Sequence, residues 1–209
     1  MRLSGENLIL ERGGQRLFTG LFFEVREGEA LVIQGSNGAG KSSLLRAIAG
    51  FLPFSGGHLR HEGGNAQARL GEQAHYLGHA DSLRNALTAE ENLAFWAVVH
   101  GGSACGVKPA LERLGLLHVL DFPVRALSAG QRRRVALARL LIAHRAIWLL
   151  DEPTTALDGG SQTLFASVMQ YHLSRGGLIV VATHAPLGIG AARQVRLDYA
   201  GHASVGVAV

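Results

Sequence analysis

Three short runs of the chain are apolar at consecutive positions: EALVIQ at 29–34, IWLL at 147–150 and LIVVAT at 178–183. Each run has the length of a strand, and none alternates strictly between apolar and polar residues. Strands that are apolar on both faces are typical of parallel sheets, which helices cover on both sides. The pattern therefore predicts an α/β fold built around a parallel sheet.

Apolar residues take up a helical spacing in the middle of the chain. Thr88 precedes an apolar run and Glu91 follows three positions later, which is the form of a capping box at a helix start. Further helices are predicted at 109–120 and 129–144, after the breaker GGSACG. The glycine-containing segment 59–73 predicts a loop or hairpin instead.

Length and composition indicate one globular unit. A chain of 209 residues that is 47% hydrophobic and 17% charged can bury a full core, which excludes a disordered protein. We predict a single domain over residues 1–209. Its α/β core is expected at 1–80 and 145–209, and a helical insert at 81–144.

Charge and cysteine content exclude only a few classes of function. The net charge of +4 suits ATP, anionic lipid or nucleic acid, and it does not choose among them. The single cysteine, Cys105, excludes a disulfide within the chain. The apolar runs are also shorter than the ~20 residues that cross a bilayer. We therefore expect a soluble chain that reaches a membrane only by docking.

A glycine-rich turn between a predicted strand and helix carries the first chemistry. The segment GSNGAGKS at 35–42 fits the phosphate-loop pattern G-x-x-x-x-G-K-[ST] at every required position. Its backbone N–H groups can converge on phosphates, while Lys41 supplies a positive charge and Ser42 a hydroxyl ligand for Mg²⁺. The alternative is a merely structural glycine turn. The predicted nucleotide-binding residues here are Gly35, Ser36, Asn37, Gly38, Ala39, Gly40, Lys41, Ser42 and Ser43.

Two carboxylates follow the apolar run IWLL. Asp151 and Glu152 thus stand at the carboxyl end of a predicted strand, where ligands bind in open α/β sheets. Asp151 is expected to hold Mg²⁺, through water, and Glu152 to orient the attacking water. The alternative is an acidic pair that caps the strand end.

The segment LSAGQRRRVALARLL at 127–141 resembles the signature motif of ABC-type ATPases, usually LSGGQ followed by a basic helix. TALD at 155–158 resembles their D-loop, and His184 in VVATHAPL their switch histidine. The ordered set covers nearly the whole chain. The resemblance implies an ABC-type P-loop NTPase. Its RecA-like parallel-sheet core would carry an N-terminal antiparallel β portion and an inserted helical subdomain.

The resemblance also implies a shared site between two copies of the chain, paired head to tail around ATP. Catalytic roles fall on Lys41, Glu152 and His184 of one copy. The other copy would contribute Ser128, Ala129, Gly130, Gln131 and Asp158.

The arginine run 132–134 is a different feature. At least one of its residues is expected on a solvated basic face, and no nucleic-acid partner is expected because aromatic stacking positions are missing.

Two positions depart from the common family pattern. The aromatic residue that stacks on adenine is replaced at about Arg12, whose guanidinium can stack on a base. Alternatively, Arg12 points into solvent and Phe18 approaches the base. The glutamine of the Q-loop is replaced by His79, whose neutral ring can accept one hydrogen bond and donate another. His79 is therefore added to the predicted catalytic residues.

The sequence LGH at 77–79, followed by LTAEENL, is similar to one branch of the family: ATP-binding subunits of the cytochrome c maturation, or haem, exporter. That branch implies an ATP-hydrolysing subunit that uses ATP and Mg²⁺. It also implies permease partners in the membrane and a peripheral place at the cytoplasmic face of the inner membrane. Haem is not expected to bind this chain, because its ten histidines are scattered.

Other functions stay open at this point. The chain could be the ATPase of another ABC exporter or importer. A non-transport ABC protein acting on DNA or ribosomes usually has two cassettes or a long coiled-coil insertion, and this sequence shows neither. A non-hydrolysing nucleotide binder is disfavoured because the hydrolytic residues are all present.

Overall fold

The computed structural model describes residues 1–65, 67–190, 192–197 and 203–207. Part of the predicted core segment 145–209, namely residues 191, 198–202 and 208–209, lies outside the described residues. The described strands form a six-stranded sheet and a three-stranded sheet. The expectation of an α/β fold with an antiparallel portion near the N-terminus is therefore confirmed.

The larger sheet carries the predicted buried strands. Its order is β5-β6-β7-β3-β8-β9, with parallel pairing except between β8 and β9. The runs 29–34, 147–150 and 178–183 correspond to β3, β6 and β7. The strands are β3 (Ala30–Gly35), β5 (Ala74–Leu77), β6 (Ile147–Asp151), β7 (Leu178–Ala182), β8 (Arg193–Leu197) and β9 (Ala203–Val207).

The smaller sheet is antiparallel, in the order β2-β1-β4. Part of the segment 59–73, expected as a loop or hairpin, is instead the edge strand β4, where Leu3 pairs with His61. Its sequence GGHLRHE is mostly polar and leaves the strand exposed, so it lacks the apolar signal of a core strand. The strands are β1 (Arg2–Arg12), β2 (Gln15–Arg26) and β4 (Gly56–Glu62).

Five α-helices occur in the described residues. The capping box is confirmed: Glu91 N–H donates to Thr88 Oγ1 (3.1 Å), and Thr88 N–H donates to the Glu91 carboxylate (2.8 Å). The helices are α1 (Lys41–Ile48), α2 (Ala89–Val99), α3 (Val107–Arg113), α4 (Ala129–Ile142) and α5 (Gly159–Ser174).

The continuous helix predicted at 109–120 is wrong in extent. Helix α3 ends at Arg113, and only a short 3₁₀ turn, Leu117–Val119, follows. Gly115 lies between them at φ 66°, a left-handed conformation that stops a right-handed helix. Further 3₁₀ turns are Leu70–Glu72, Ala104–Gly106 and Val124–Ala126.

Both faces of the larger sheet are buried. On one face Leu31 and Ile33 pack with α1 and the antiparallel sheet. On the other, Ala30 and Val32 belong to the cluster that contains α2 to α5. The loops at the carboxyl ends of β3, β6 and β7 therefore extend from a sheet that is covered on both faces.

Among the described residues, no helix has the length and apolar character needed to cross a membrane.

Candidate functional site

The phosphate loop joins β3 to α1. Gly35 lies at φ 147°, and a Cβ there would collide with the carbonyl oxygen of Leu197 on β8. Only glycine therefore fits this turn. Gly40 is the N-cap of α1, so the loop ends at a helix N-terminus, a natural site for anions. Ala39 packs into the core, and its contribution to the loop is thus its backbone.

Lys41 folds back over its own loop. Its ammonium group donates to the carbonyl oxygens of Gly35 (2.6 Å) and Ser36 (3.1 Å), and it lies 2.9 Å from Nε2 of His184. Because an ammonium group has donors only, Nε2 of His184 must accept this hydrogen bond. The same Nε2 lies 3.9 Å from Oε1 of Glu152.

The acidic pair ends β6. Asp151 is buried, whereas Glu152 is partly exposed and adopts φ 46°, a left-handed conformation that is costly for a residue with a Cβ. Its N–H donates to the carbonyl of Ala182 (2.8 Å), and its Oε2 accepts from the Thr183 hydroxyl (3.2 Å). One carboxylate oxygen is thus held by Thr183, directly after β7, and the other lies toward His184.

A cleft of about 340 Å³ brings these segments together. Arg12 and Leu17, on either side of the turn between β1 and β2, form one wall, so the structure brings Arg12 to the site. Phe18 is fully buried and does not line the cleft, so its approach to a base is not supported, while Arg12 is exposed at the edge of the cleft. The residues around the cleft are Arg12, Leu17, Asn37, Gly38, Gly40, Lys41, Ser42, Ser43, His79, Asp151 and Glu152.

The residues present fit a magnesium ion. The Ser42 hydroxyl and the buried Asp151 carboxylate both line the cleft. Carboxylate and hydroxyl oxygens are hard donors, which Mg²⁺ prefers, and it usually takes few protein ligands beside substrate phosphates and water. These two residues can hold the ion beside the phosphate loop.

A second group of motif residues lies at the N-termini of α4 and α5. We call residues 128–131 together with Asp158 the signature face. Ser128 caps α4: its hydroxyl accepts from Gln131 N–H (3.1 Å), and its N–H donates to the Gln131 side chain (2.9 Å). Asp158 caps α5 by accepting from Ser161 N–H (2.8 Å), which lowers the pKa of its carboxyl. Within the described part of the chain, none of these five residues lines the cleft of its own copy.

The basic run on α4 is bonded to neighbouring backbone segments. Arg132 and Arg134 are half-buried, and they donate to the carbonyls of Leu127 (2.8 Å) and Leu114 (3.0 Å). Arg133 is buried. Each guanidinium bonds a neighbouring backbone segment, so Arg132 and Arg134 reach the solvated surface expected for the run only in part, and Arg133 does not reach it.

The family follows from comparison with known proteins. A family model described as ABC transporter matches residues 18–155, which include the phosphate loop, the signature motif and the acidic pair. The chain belongs to the ABC transporter family.

Relatives place this ABC protein more closely. It is 53% identical over 197 residues to the cytochrome c biogenesis ATP-binding export protein CcmA of Nitrobacter winogradskyi, covering 94% of this chain and 98% of that one. It is 52% identical over 200 residues to the protein of the same name from Rhodopseudomonas palustris, covering 96% and 100%. The chain therefore belongs among the ABC ATPases of cytochrome c biogenesis export, which confirms the branch that the sequence indicated.

Solved structures show the same fold. A putative ABC transporter ATP-binding protein from Pyrococcus furiosus superposes with a TM-score of 0.81 at 20% identity, over 98% of this chain and 100% of that one. An ATP-binding subunit of an ABC transporter superposes with a TM-score of 0.85 at 23% identity, over 99% and 90%. The ABC-type fold predicted from the motifs is confirmed.

Three residues of this ABC site were not singled out from the sequence. Thr183 holds Glu152, Leu17 lies on the phosphate loop, and Arg133 contacts the acidic segment. Thr183 is a polar residue at the end of a buried strand, which is a usable signal. Arg133 shares a helical stripe with apolar residues three and four positions on, which predicts burial. Leu17 had no such signal, because only the hairpin brings it to the loop.

Proposed function

We propose that this chain hydrolyses ATP in the cleft and thereby drives an exporter that serves cytochrome c biogenesis. The export role follows the names of relatives that match nearly the whole chain at about half identity. One observation supports hydrolysis: Nε2 of His184 lies 2.9 Å from Nζ of Lys41 and 3.9 Å from Oε1 of Glu152, so it links the phosphate loop to the acidic pair.

Binding exchanges one set of acceptors for another. The Lys41 ammonium leaves the carbonyls of Gly35 and Ser36 and donates to the β- and γ-phosphates, while the loop N–H groups and the start of α1 surround them. Arg12 stacks on the base from the hairpin wall. Ser42 and Asp151 would hold Mg²⁺, which would supply positive charge beside the phosphates.

Hydrolysis uses the carboxylate oxygen of Glu152 that Thr183 leaves free. Oε1 accepts a proton as the water oxygen bonds to the γ-phosphorus. The bond from that phosphorus to the bridging oxygen breaks, and ADP leaves with the electron pair. Once Lys41 has moved to the phosphates, Nε2 of His184 is free, and the ring can turn a donor toward the γ-phosphate.

A second copy of the chain completes the site. The signature face presents two helix N-termini and the Ser128 hydroxyl, all of which favour anions. These groups do not line their own cleft. In a head-to-tail pair, Ser128, Ala129, Gly130, Gln131 and Asp158 face the γ-phosphate region of the partner copy. ATP then joins the two copies, and hydrolysis releases them.

A membrane permease docks beside His79. A groove of about 550 Å³ includes Phe51, Tyr76, Trp96 and His79, and Phe51 is 64% exposed. His79 lines both this groove and the cleft. The chain therefore acts as a peripheral subunit at the cytoplasmic face of the inner membrane, and its membrane partners handle the haem.

The test uses Glu152→Gln, tagged and expressed in its native membrane background, with the exposed Glu112→Gln as the matched control. We expect Glu152→Gln to bind ATP normally, to hydrolyse it at least ~10²-fold more slowly, and to accumulate as an ATP-bound dimer. Mass spectrometry should identify small membrane subunits of a cytochrome c maturation complex in the purified sample. Normal turnover would remove Glu152 from the mechanism. An unrelated permease would remove the assigned export role.

A further inference from the structure

Arg133 is the most extensively bonded buried side chain near the site. It lies on α4 and is only 3% exposed. Its guanidinium donates to two segments, one at the end of β6 and the other in the loop after β5. The acceptors are the carbonyl oxygens of Pro153 (3.1 Å), Gly78 (3.3 Å), Asp151 (3.1 Å) and Glu152 (2.8 Å) and the carboxylate of Asp81 (2.8 Å).

Three of these acceptors surround Glu152. Arg133 donates to the carbonyl of Glu152 and to the carbonyls of the residues directly before and after Glu152. Glu152 is the residue at φ 46°, a conformation that persists only where the surroundings enforce it. The backbone of the acidic residue is thus fixed from α4, while Thr183 fixes only one of its carboxylate oxygens.

The other two acceptors bracket His79. Gly78 precedes it and Asp81 follows two positions later, so the same guanidinium fixes the loop that carries His79. Ser128 of the signature face caps the same helix, five residues before Arg133, a distance of about 7.5 Å along the axis. One rigid helix therefore joins Ser128, which a partner copy can reach, to the backbones of Glu152 and the His79 loop.

We propose that Arg133 is a positioning residue that sets the carboxylate of Glu152 and makes its placement depend on α4 and on the His79 loop. This inference rests on the proposed role of Glu152. Engagement of the signature face, or of the groove beside His79, then reaches Glu152 through one side chain. Lysine cannot replace it, because an ammonium group has three donors and lacks the planar fork that spans both segments.

The decisive variant is Arg133→Lys in the complete chain, purified with its membrane subunits. Arg134→Lys is the matched control, since Arg134 neighbours it on α4 and donates to Leu114 instead. We expect kcat to fall by at least ~10-fold in Arg133→Lys, with KM and the Kd for Mg·ATP within about twofold of the parent protein. A merely structural role would alter the melting temperature and Kd without this separation of kcat from KM.

A double variant tests the route through Glu152. If Arg133 acts by placing Glu152, Arg133→Lys combined with Glu152→Gln should be no slower than Glu152→Gln alone. Rates that multiply would overturn the inference, as would normal kcat or a parallel loss of ATP affinity in Arg133→Lys. Inactive Glu152→Gln beside fully active Arg133→Lys would overturn this inference only, whereas active Glu152→Gln would overturn the proposed function as well.

A second variant guards against misfolding. If Arg133→Lys melts far below Arg134→Lys, the same kinetics on Asp81→Asn decide, because Arg133 stays and only its charged link to the His79 loop is weakened. We expect kcat to fall about threefold at unchanged KM. Unchanged kcat in Asp81→Asn would overturn the inference.

Discussion

The cleft and the signature face differ in how far one copy of the chain completes them. Lys41 and Glu152 line the cleft, and His184 beside it lies 2.9 Å from Nζ of Lys41 and 3.9 Å from Oε1 of Glu152. At the signature face, the hydrogen bonds of Ser128 and Asp158 cap their own helices, and both residues are exposed. The cleft residues are thus brought together within one copy, whereas the signature face is an exposed pair of helix N-termini.

This difference separates two kinds of free energy. In the proposed function, the phosphate loop and Lys41 bind phosphates within a single copy, so they should determine nucleotide affinity. The signature face should contribute only when a second copy approaches, so it should determine association. Substitutions in the two regions should therefore change different measurements.

Lys41→Ala should have the largest effect, on the cleft alone. Removing the ammonium leaves the β- and γ-phosphate charge uncompensated, and we expect ATP affinity to fall by at least ~10²-fold. Titration calorimetry with the single chain measures the Kd. Lys108→Ala, which removes an exposed lysine near Glu90, is the control. An unchanged Kd in Lys41→Ala would mean that the cleft is not prepared as described.

Acid should lower the free energy of unfolding of the chain. Burial lowers the pKa of His75 to about 3 and of His172 to about 4, from 6.5. Both are neutral in the folded chain but bind protons below pH 6.5 when unfolded. Their contribution to stability is therefore complete above pH 6.5 and lost as pH falls toward 4. At pH 5 each should cost about 2 kcal/mol, or ~30-fold in the folding equilibrium.

Urea unfolding at pH 7.5 and pH 5 measures this loss. His172→Phe keeps a ring against Trp148, on which His172 stacks at 3.9 Å, and removes the titrating group. The variant should lose about 2 kcal/mol less than the parent chain between the two pH values. The exposed His58→Phe is the control. An equal loss in both variants would show that other groups set the acid stability.

Sequence reasoning worked best where a site residue belongs to a continuous segment. The phosphate loop and the acidic pair each sit at the end of one apolar strand, and strand ends in a parallel sheet share an edge. Their convergence could be predicted without coordinates. The buried strands and the capping box at Thr88 were predictable for the same reason, since periodicity and capping are local properties.

Contacts between distant segments were not predictable in this way. In the sequence, Arg133 is one of three consecutive arginines. Nothing there indicates that carbonyls from two loops surround it. Leu17 reaches the phosphate loop only because β1 and β2 fold as a hairpin over it. Helix α3 is shorter than its apolar pattern because the backbone of Gly115 overrides that pattern.

Ser128→Ala should affect the signature face and spare the cleft. It removes the hydroxyl that caps α4, and the loss of this cap should cost about 1 kcal/mol of stability. We propose that the same hydroxyl contacts the partner's γ-phosphate. In a Glu152→Gln background, ATP-dependent dimerisation should weaken about tenfold, while ATP affinity of the single chain stays the same.

Sedimentation with and without ATP measures the dimer. Thr88→Ala is the matched control, because Thr88 caps α2 in the same way and lies outside both regions. It should lose similar stability and dimerise normally. If Ser128→Ala and Thr88→Ala dimerise equally well, the hydroxyl serves its own helix only.

His79→Gln should have the smallest effect, because His79 belongs to the cleft and also to the groove. Glutamine can accept and donate a hydrogen bond, as a neutral imidazole does, so ATP hydrolysis by the isolated chain should stay within about threefold. The change should appear in how strongly membrane subunits stimulate hydrolysis, since the groove loses an aromatic ring. Turnover measured with and without those subunits, beside His58→Gln as control, gives that ratio. An inactive isolated chain would place His79 among the chemical groups of the cleft, and the separation between cleft and docking groove would not hold at this residue.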